Sequence, residues 1–369
     1  MDMKSILICI VMIISTLEAT PLSSATAGNS KSPKYLLVAN PTARNLETLK
    51  FLIDRKIFRL NTRNTHIIGI YHKGQAYDFS ASKTFLEDNK INYITLQEVE
   101  GSLDVSDIFG ENDCSPVFRQ LFDKSIGILF FGGPDIQPEI YGEENLYSEV
   151  TDPYRHLFEV SLAFHFAGSS RNPEFKPFME GRPEYLMTGF CLGLQTMNVA
   201  GGGNLWQDIP AQVYGKAGAA ETVMIDRENL HRNYWQEINR GDLFMGINLH
   251  PIQFTEHPFF GNTIPVRKTE MPRIYSSHHQ SPNDIAPGYE ITAKSPDGKI
   301  VEGLAHNRFP HVFAVQFHPE VPALYEDREE LIFAPDDTPS TLHRIIGRKS
   351  VSFHRKYWKH ISEIVKHQP

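Results

Sequence analysis

Cys191 sits at the centre of Gly189-Phe190-Cys191-Leu192-Gly193, after an apolar run at 185–187 and before a helix-like segment that opens Leu194-Gln195-Thr196. A thiol on a tight strand-to-helix turn is held in an exposed, strained position, and flanking glycines leave room for the turn and for an approaching carbonyl. The N-terminus of the following helix favours the thiolate. Such a nucleophile needs a base, and the base needs an orienting acceptor. His318-Pro319-Glu320 offers both, because residues two apart in an extended segment face the same way and the proline keeps the segment from coiling. The imidazole of His318 would raise the thiolate fraction and protonate a leaving amine, while Glu320 would fix the tautomer and stabilise the imidazolium. Backbone N–H groups of Leu192, directly after the nucleophile, and Gly133, on a preceding loop, are placed to hold the oxyanion. Taken singly, Cys191 reads as a buried thiol, His318 as a strand-end histidine and Glu320 as a solvated carboxylate. Their combination is what points to acyl transfer.

These residues must be delivered by strands. Short apolar runs at 35–39, 66–71, 93–96, 126–131 and 312–317 alternate with helical spacing at 46–58, 80–89 and 152–166, a pattern that predicts a three-layer α/β fold, flavodoxin-like, with a mostly parallel sheet and helices on both faces. The 126–131 strand runs straight into Gly132-Gly133-Pro134-Asp135, and ligands of open α/β sheets bind outside that carboxyl edge. A helix after Cys191 should end at Gly201-Gly202-Gly203, and 351–365 reads as a closing amphipathic helix. Residues 214–273 are an irregular excursion rich in His, Asn and aromatics, and 326–348 reads as a surface loop.

Composition narrows the function. The chain has 369 residues, 41% hydrophobic, with a net charge of −8 and no dense Lys/Arg run, so no nucleic acid or anionic membrane is expected as a partner. Lys4, the apolar stretch 6–14 and Ala25-Thr26-Ala27 form a signal-peptide pattern, too short for a span of about 20 residues. The expected organisation is therefore a signal peptide over 1–27, a linker over 28–33 and one domain over 34–369, with export to a periplasmic or secreted location and no other membrane association. Beyond the leader only Cys114 and Cys191 remain, so no disulfide framework is expected, and Cys114 reads as an ordinary free thiol. No His-Glu-x-x-His or Cys-x-x-Cys spacing occurs among the sixteen histidines, and adjacent His278 and His279 would point to opposite faces and supply one ligand at most. No metal and no cofactor is expected.

Four stretches resemble the class I glutamine amidotransferase-like hydrolases, particularly the gamma-glutamyl hydrolases and the gamma-glutamyl-gamma-aminobutyrate hydrolase branch. They are Gly132 to Pro138 with Tyr141-Gly142; Cys191-Leu192-Gly193-Leu194-Gln195 with Asn198, Gly202-Gly203 and residues 205–209; Ser276-Ser277-His278-His279-Gln280; and Gln316-Phe317-His318-Pro319-Glu320. Residues 126–321 and the final helix carry the likeness, while 34–125 match poorly. The resemblance implies a Cys191-His318-Glu320 triad, with Gln195 meeting the α-amino and α-carboxylate end of a glutamyl group and Asp152 and Arg155 near the site. It also implies a pocket lined by 276–280, in which His279 and Gln280 are the residues to mutate. Leu192 follows the nucleophile where the aminobutyrate branch commonly has Arg, as in the folate gamma-glutamyl hydrolases.

The function expected is an exported gamma-glutamyl hydrolase that cleaves a gamma-glutamyl amide through a thioester on Cys191. Its partners would be a small gamma-glutamyl substrate and, at most, a second copy of the chain in a homodimer. Two alternatives stand beside it: a non-catalytic binding protein that retains the pocket, and a glutaminase domain that supplies ammonia to a partner.

Overall fold

Nine strands form the main sheet: β1 (Lys34–Ala39), β2 (Thr65–His72), β3 (Ile94–Val99), β4 (Ser125–Phe130), β5 (Leu186–Phe190), β6 (Gln253–Phe254), β7 (Tyr289–Lys294), β8 (Val301–His306) and β9 (Val312–Val315). The computed structural model describes residues 33–239, 241 and 243–368, so the expected signal peptide and all of the linker but Pro33 lie outside the described residues. The sheet order is β3-β2-β1-β4-β5-β9-β8-β7-β6. The first six strands are parallel, and β8, β7 and β6 continue the sheet antiparallel. Without the edge strand β3, the parallel part runs 2-1-3-4-5 in chain order, the flavodoxin-like winding. The direction of winding reverses between β1 and β4, so the carboxyl ends of those strands open a crevice.

Alternation along the strands fills two cores. Leu36 and Val38 of β1, with Phe313 and Val315 of β9, face one layer, built from α1 (Ala43–Asp54), α2 (Ser80–Asp88) and the last helix. Leu37 and Ala39, with Val312 and Ala314, face the other layer, built from α3 (Ser115–Lys124), α4 (Pro153–Ala167) and α5 (Leu192–Gly201). Strands buried on both faces read as continuous apolar runs, which makes them visible in the sequence.

Helix boundaries depart from expectation where caps decide them. The helix expected over 46–58 is Ala43–Asp54: Thr42 accepts from the Asn45 N–H at its start, and Lys56, with φ +53°, stops it. The final helix, α6 (Leu342–His367), takes in the end of the expected 326–348 loop, because Thr341 caps it and Leu342 and Ile346 are buried, and Gly347 (φ 71°, ψ 167°) breaks its first turn from the rest. The 214–273 excursion is partly ordered: it adds β6 to the sheet, and its strand Asn248–Pro251 pairs antiparallel with Arg273–Ser276. Among the described residues no helix is long and apolar enough to cross a membrane.

Candidate active site

Four strand ends meet at the crevice. Asn40 follows β1, Gly132 and Gly133 follow β4, Cys191 follows β5, and His318 lies just past β9; all line one cavity of about 380 Å³. The elbow at Cys191 is real, and the strain sits on the cysteine itself, at φ 53° and ψ −107°. A non-glycine residue in such a conformation costs about 1–3 kcal/mol and persists only where its surroundings hold it. They do so here: the Cys191 N–H donates to Val315 O at 2.9 Å, and Cys191 O accepts from Leu194 N at 3.0 Å. The two glycines of the motif are required by close approach. A Cβ on Gly189 would lie 2.5 Å from the carbonyl carbon of Gly193, and one on Gly193 would lie 2.5 Å from Phe130 O.

His318 Nδ1 donates to Glu320 Oε1 at 2.7 Å, which leaves Nε2 for the cavity, where Ser277 Oγ lies 3.1 Å away. The Cys191 side chain shares the cavity wall with the ring, near enough for its sulfur to favour the charged imidazole. Gly132 packs against both residues, since a Cβ there would fall 2.6 Å from His318 Cε1 and 3.5 Å from Cys191 Cβ. Burial disfavours the charged ring, but Glu320 and the sulfur outweigh it and hold the imidazole's titration up to about 10. The segment between the two partners is pinned by one carbonyl: Trp358 Nε1 donates to Pro319 O at 2.9 Å and Tyr325 OH donates to the same oxygen. The indole of Trp358 is itself fully buried and packed against Phe58 and Phe190. The closing helix therefore fixes the distance between base and orienter, a role that sequence reading did not give it.

Of the two oxyanion candidates, Gly133 lines the cavity. Leu192 is buried at the first turn of α5, where a helical N–H has no intrahelical acceptor. Arg155 also reaches the cavity wall, but its guanidinium is engaged: Nε donates to Glu159 Oε1 at 2.9 Å, and Nη2 donates to Phe131 O and Gly132 O at 3.0 and 3.1 Å. It positions the Gly132-Gly133 loop from beneath, and so closely that a Cβ on Gly133 would lie 1.9 Å from Nη1. Asp152 caps α4 by accepting from the Arg155 N–H.

Three expected substrate contacts lie elsewhere. Gln195 is on the face of α5 below Cys191, buried, with Nε2 donating to Gln280 O at 3.2 Å and Gln316 Oε1 at 3.4 Å. The chain curls after Ser277, with His278 Nδ1 donating to Gln280 O at 2.8 Å, so Ser277 alone of the 276–280 stretch lines the cavity. Gln280 is buried and donates to Ser148 Oγ and Gln207 O. His279 bridges two carboxylates: Nε2 is 2.9 Å from Asp135 Oδ2, and Nδ1 is 3.1 Å from Asp208 Oδ2. Burial alone would lower its titration, yet the two aspartates carry it up to about 9 against the opposing charge of Arg232. Asp135 belongs to the glycine loop and Asp208 caps the helix Ile209–Tyr214, so His279 ties that loop to its neighbour.

The wall facing Cys191 went unread in the sequence. Thr42, which caps α1, and Arg44 and Asn45 of its first turn line it, with Tyr275 beside His318, ring centroids 5.5 Å apart at 83°. Asn40-Pro41-Thr42, polar and directly after a buried strand at the reversal of winding, was the available signal. Cys114 is buried and free, and burial, helped by Asp113 and Asp107, pushes its thiol up to about 11, in keeping with an inert role.

The family model described as peptidase C26 matches residues 66–320, which takes in all three triad positions and reaches upstream of residue 126 into the part that matched poorly by motif. A glutamine amidotransferase-like protein, YvdE, of Lactococcus lactis is 31% identical over 217 residues, 58% of this chain and 73% of that one. Protein NtpR of Enterococcus hirae is 26% identical over 249 residues, 65% of this chain and 86% of the relative. A solved structure described as a GMP synthase subunit from Thermoplasma acidophilum aligns over 91% of this chain and 96% of its own at 11% identity and TM-score 0.39, a likeness too distant to add to what the strand order shows.

Proposed function

The chain belongs to the peptidase C26 family, and on that premise we propose that it is a cysteine hydrolase cleaving gamma-glutamyl amide bonds. The observation that carries the reading is the short Nδ1–Glu320 hydrogen bond on an imidazole whose other nitrogen is left for the Cys191 side of the cavity. Attack requires sulfur as the thiolate, the form favoured by an adjacent imidazolium and by the N-terminus of α5. Sγ adds to the side-chain carbonyl of the glutamyl group, and the oxyanion is held by the N–H groups of Gly133 and Leu192. His318 then gives its proton to the departing amine as the C–N bond breaks and a thioester remains. Water, deprotonated by the now neutral ring, attacks the thioester; glutamate leaves and the thiolate is restored. Glu320 holds the ring's orientation through both proton transfers.

The carboxylate-binding role expected of Gln195 needs another holder. Arg155 lines the same cavity but spends Nε and Nη2 on Glu159 and two carbonyls, so Arg44, exposed in the cavity wall, is the cation better placed to meet a glutamyl α-carboxylate. Mass spectrometry of the protein after exposure to a panel of gamma-glutamyl amides, glutamine included, tests the proposal. A glutamyl mass on Cys191, absent in Cys191→Ala, is expected. A full panel with no acylation and no released glutamate would leave the binding-protein reading in its place, and acylation by glutamine alone would favour the glutaminase reading. We further propose export, which N-terminal sequencing of protein recovered outside the cytoplasm tests by locating the cleavage site.

A further inference from the structure

Away from the active site, His231, His250, His278 and Glu302 converge, each offering a ligand atom and all four atoms within 4.8 Å of one another. The four residues are between 0% and 4% exposed. They come from four separate pieces of chain. His250 is on the strand Asn248–Pro251, His278 lies two residues beyond its partner strand, Glu302 is on β8, and His231 is held in the excursion by Ser276 Oγ, which donates to its carbonyl at 2.6 Å.

The atoms of this cluster that face one another are not joined by aligned hydrogen bonds. Six buried atoms, Nδ1 and Nε2 of His231, Nε2 of His250, Nε2 of His278 and both carboxylate oxygens of Glu302, make no aligned hydrogen bond within the described protein, and three of the nitrogens face Glu302 Oε1 instead. Buried polar groups are normally satisfied, and leaving one orphaned costs about 1–3 kcal/mol, so six together in one place call for an occupant. Tautomers point the same way. His250 Nδ1 lies 2.9 Å from Pro251 O and His278 Nδ1 lies 2.8 Å from Gln280 O; a carbonyl only accepts, so both Nδ1 atoms carry the proton and both Nε2 lone pairs are turned toward Glu302. That is the outer hydrogen bonding of metal-bound imidazoles. From Glu302 Oε1 the three nitrogens lie at 3.0 Å (His231 Nδ1), 3.6 Å (His250 Nε2) and 3.8 Å (His278 Nε2). Donors about 2.0–2.1 Å from a tetrahedral ion stand roughly 3.3–3.4 Å apart, within the spread of these three separations.

We propose that His231, His250, His278 and Glu302 form a closed structural site for a divalent first-row transition metal of the zinc type. Three neutral imidazoles and one carboxylate suit such an ion and not magnesium or calcium, which take oxygen ligands. Four protein donors, all buried, leave no open coordination position, the mark of a structural and not a hydrolytic centre. The ion would staple the excursion and β8 to the loop that carries Ser277 into the cavity beside His318. Of the adjacent pair His278 and His279, only the first belongs to the cluster; the second is held between Asp135 and Asp208.

The test uses the full chain in a Cys191→Ala background, so that the thiol cannot capture the ion. Elemental analysis of the purified protein is expected to give about one metal per chain. Stripping with a chelator should lower Tm by several degrees, and one equivalent of Zn²⁺ should restore it; Co²⁺ in its place should show the visible bands of a four-coordinate site. His250→Asn and Glu302→Gln should lose the equivalent, and His367→Ala, on the exposed last turn, should keep it. Stripped protein that is folded, takes up no stoichiometric Zn²⁺ and shows no change in Tm would overturn the proposal, as would equal loss in His367→Ala. If the cluster variants fail to fold, stripping and titration of the parent chain decide the matter alone.

Discussion

His279 supplies the sharpest test of how the glycine loop is held. The ring stands between Asp135 and Asp208, side chains 13–20% exposed, with the charge of Arg232 opposing its protonation. Its titration is raised from 6.5 to about 9 in the folded protein. A folded-state value above the unfolded one contributes stability that is present in full below pH 6.5 and is lost as pH rises through about 9. The size of the rise corresponds to about 3 kcal/mol. His279→Gln removes the charge and keeps a side chain of similar reach. Urea unfolding of both proteins at pH 6 and at pH 10 should then show a gap in stability about 3 kcal/mol larger at the lower pH. His318 titrates high in both proteins, so the difference between them cancels it. The variant should also lose kcat with KM nearly unchanged, because Asp135 steadies the Gly132-Gly133 loop and no substrate contact is removed. A gap in stability that stays constant across the range refutes the ion clamp, whatever the activity does.

Other outcomes follow from the same geometry. Arg155→Met strands Glu159 in the core and frees two loop carbonyls, and should cost about 3–5 kcal/mol in urea unfolding, much of it recovered in Arg155→Met/Glu159→Leu; a cost below about 1 kcal/mol counts against the buried pair. Glu320→Gln removes the carboxylate that holds His318 near 10, so the alkaline limb of kcat/KM should move toward lower pH while activity falls roughly 10²-fold or more; an unmoved limb speaks against His318 as its source. Arg44→Met should raise KM for gamma-glutamyl substrates about tenfold with kcat little changed, the equivalent of about 1.4 kcal/mol; unchanged KM would remove Arg44 from substrate binding.

What the sequence made legible has a common physical character. The strands of the parallel sheet are buried on both faces, so their burial appears as unbroken apolar runs. The elbow and the His-Pro-Glu step are local motifs, in which a few bonds of covalent geometry already fix where the side chains go. Gln195, His279 and Gln280 read as pocket residues by membership of the right segments, but whether a side chain faces a cavity depends on how the chain curls within three residues. After Ser277 the stretch turns away, held by His278 Nδ1 to Gln280 O, by His279 between two aspartates and by the bonds of Gln280. The cluster at 231, 250, 278 and 302 was beyond reach for the opposite reason: no two of its members share a local segment, and it forms only when the Asn248–Pro251 and Arg273–Ser276 pair, β8 and the His231 segment are brought together by the fold.

The polar residues around the cavity also show how it is stiffened. The segments carrying Gly132, His318 and Glu320 are held by donors aimed at their own backbone carbonyls or by a buried ion pair beside them. Pro319 O takes Trp358 and Tyr325, Phe131 O and Gly132 O take Arg155, and Asp135 of the same loop takes His279. Carbonyls at strand ends have lost their ladder partners, so a buried donor placed there satisfies the carbonyl and freezes the loop in one interaction. Residues at such positions are polar, near the cavity and locally indistinguishable from substrate ligands. Separating the two classes requires knowing which hydrogen bonds the protein makes within itself. By that criterion His279, Gln195, Gln280 and the Nε and Nη2 atoms of Arg155 are engaged by the protein itself, Ser277 is engaged by His318, and Arg44 is a cavity-lining cation with no such bond among the described residues.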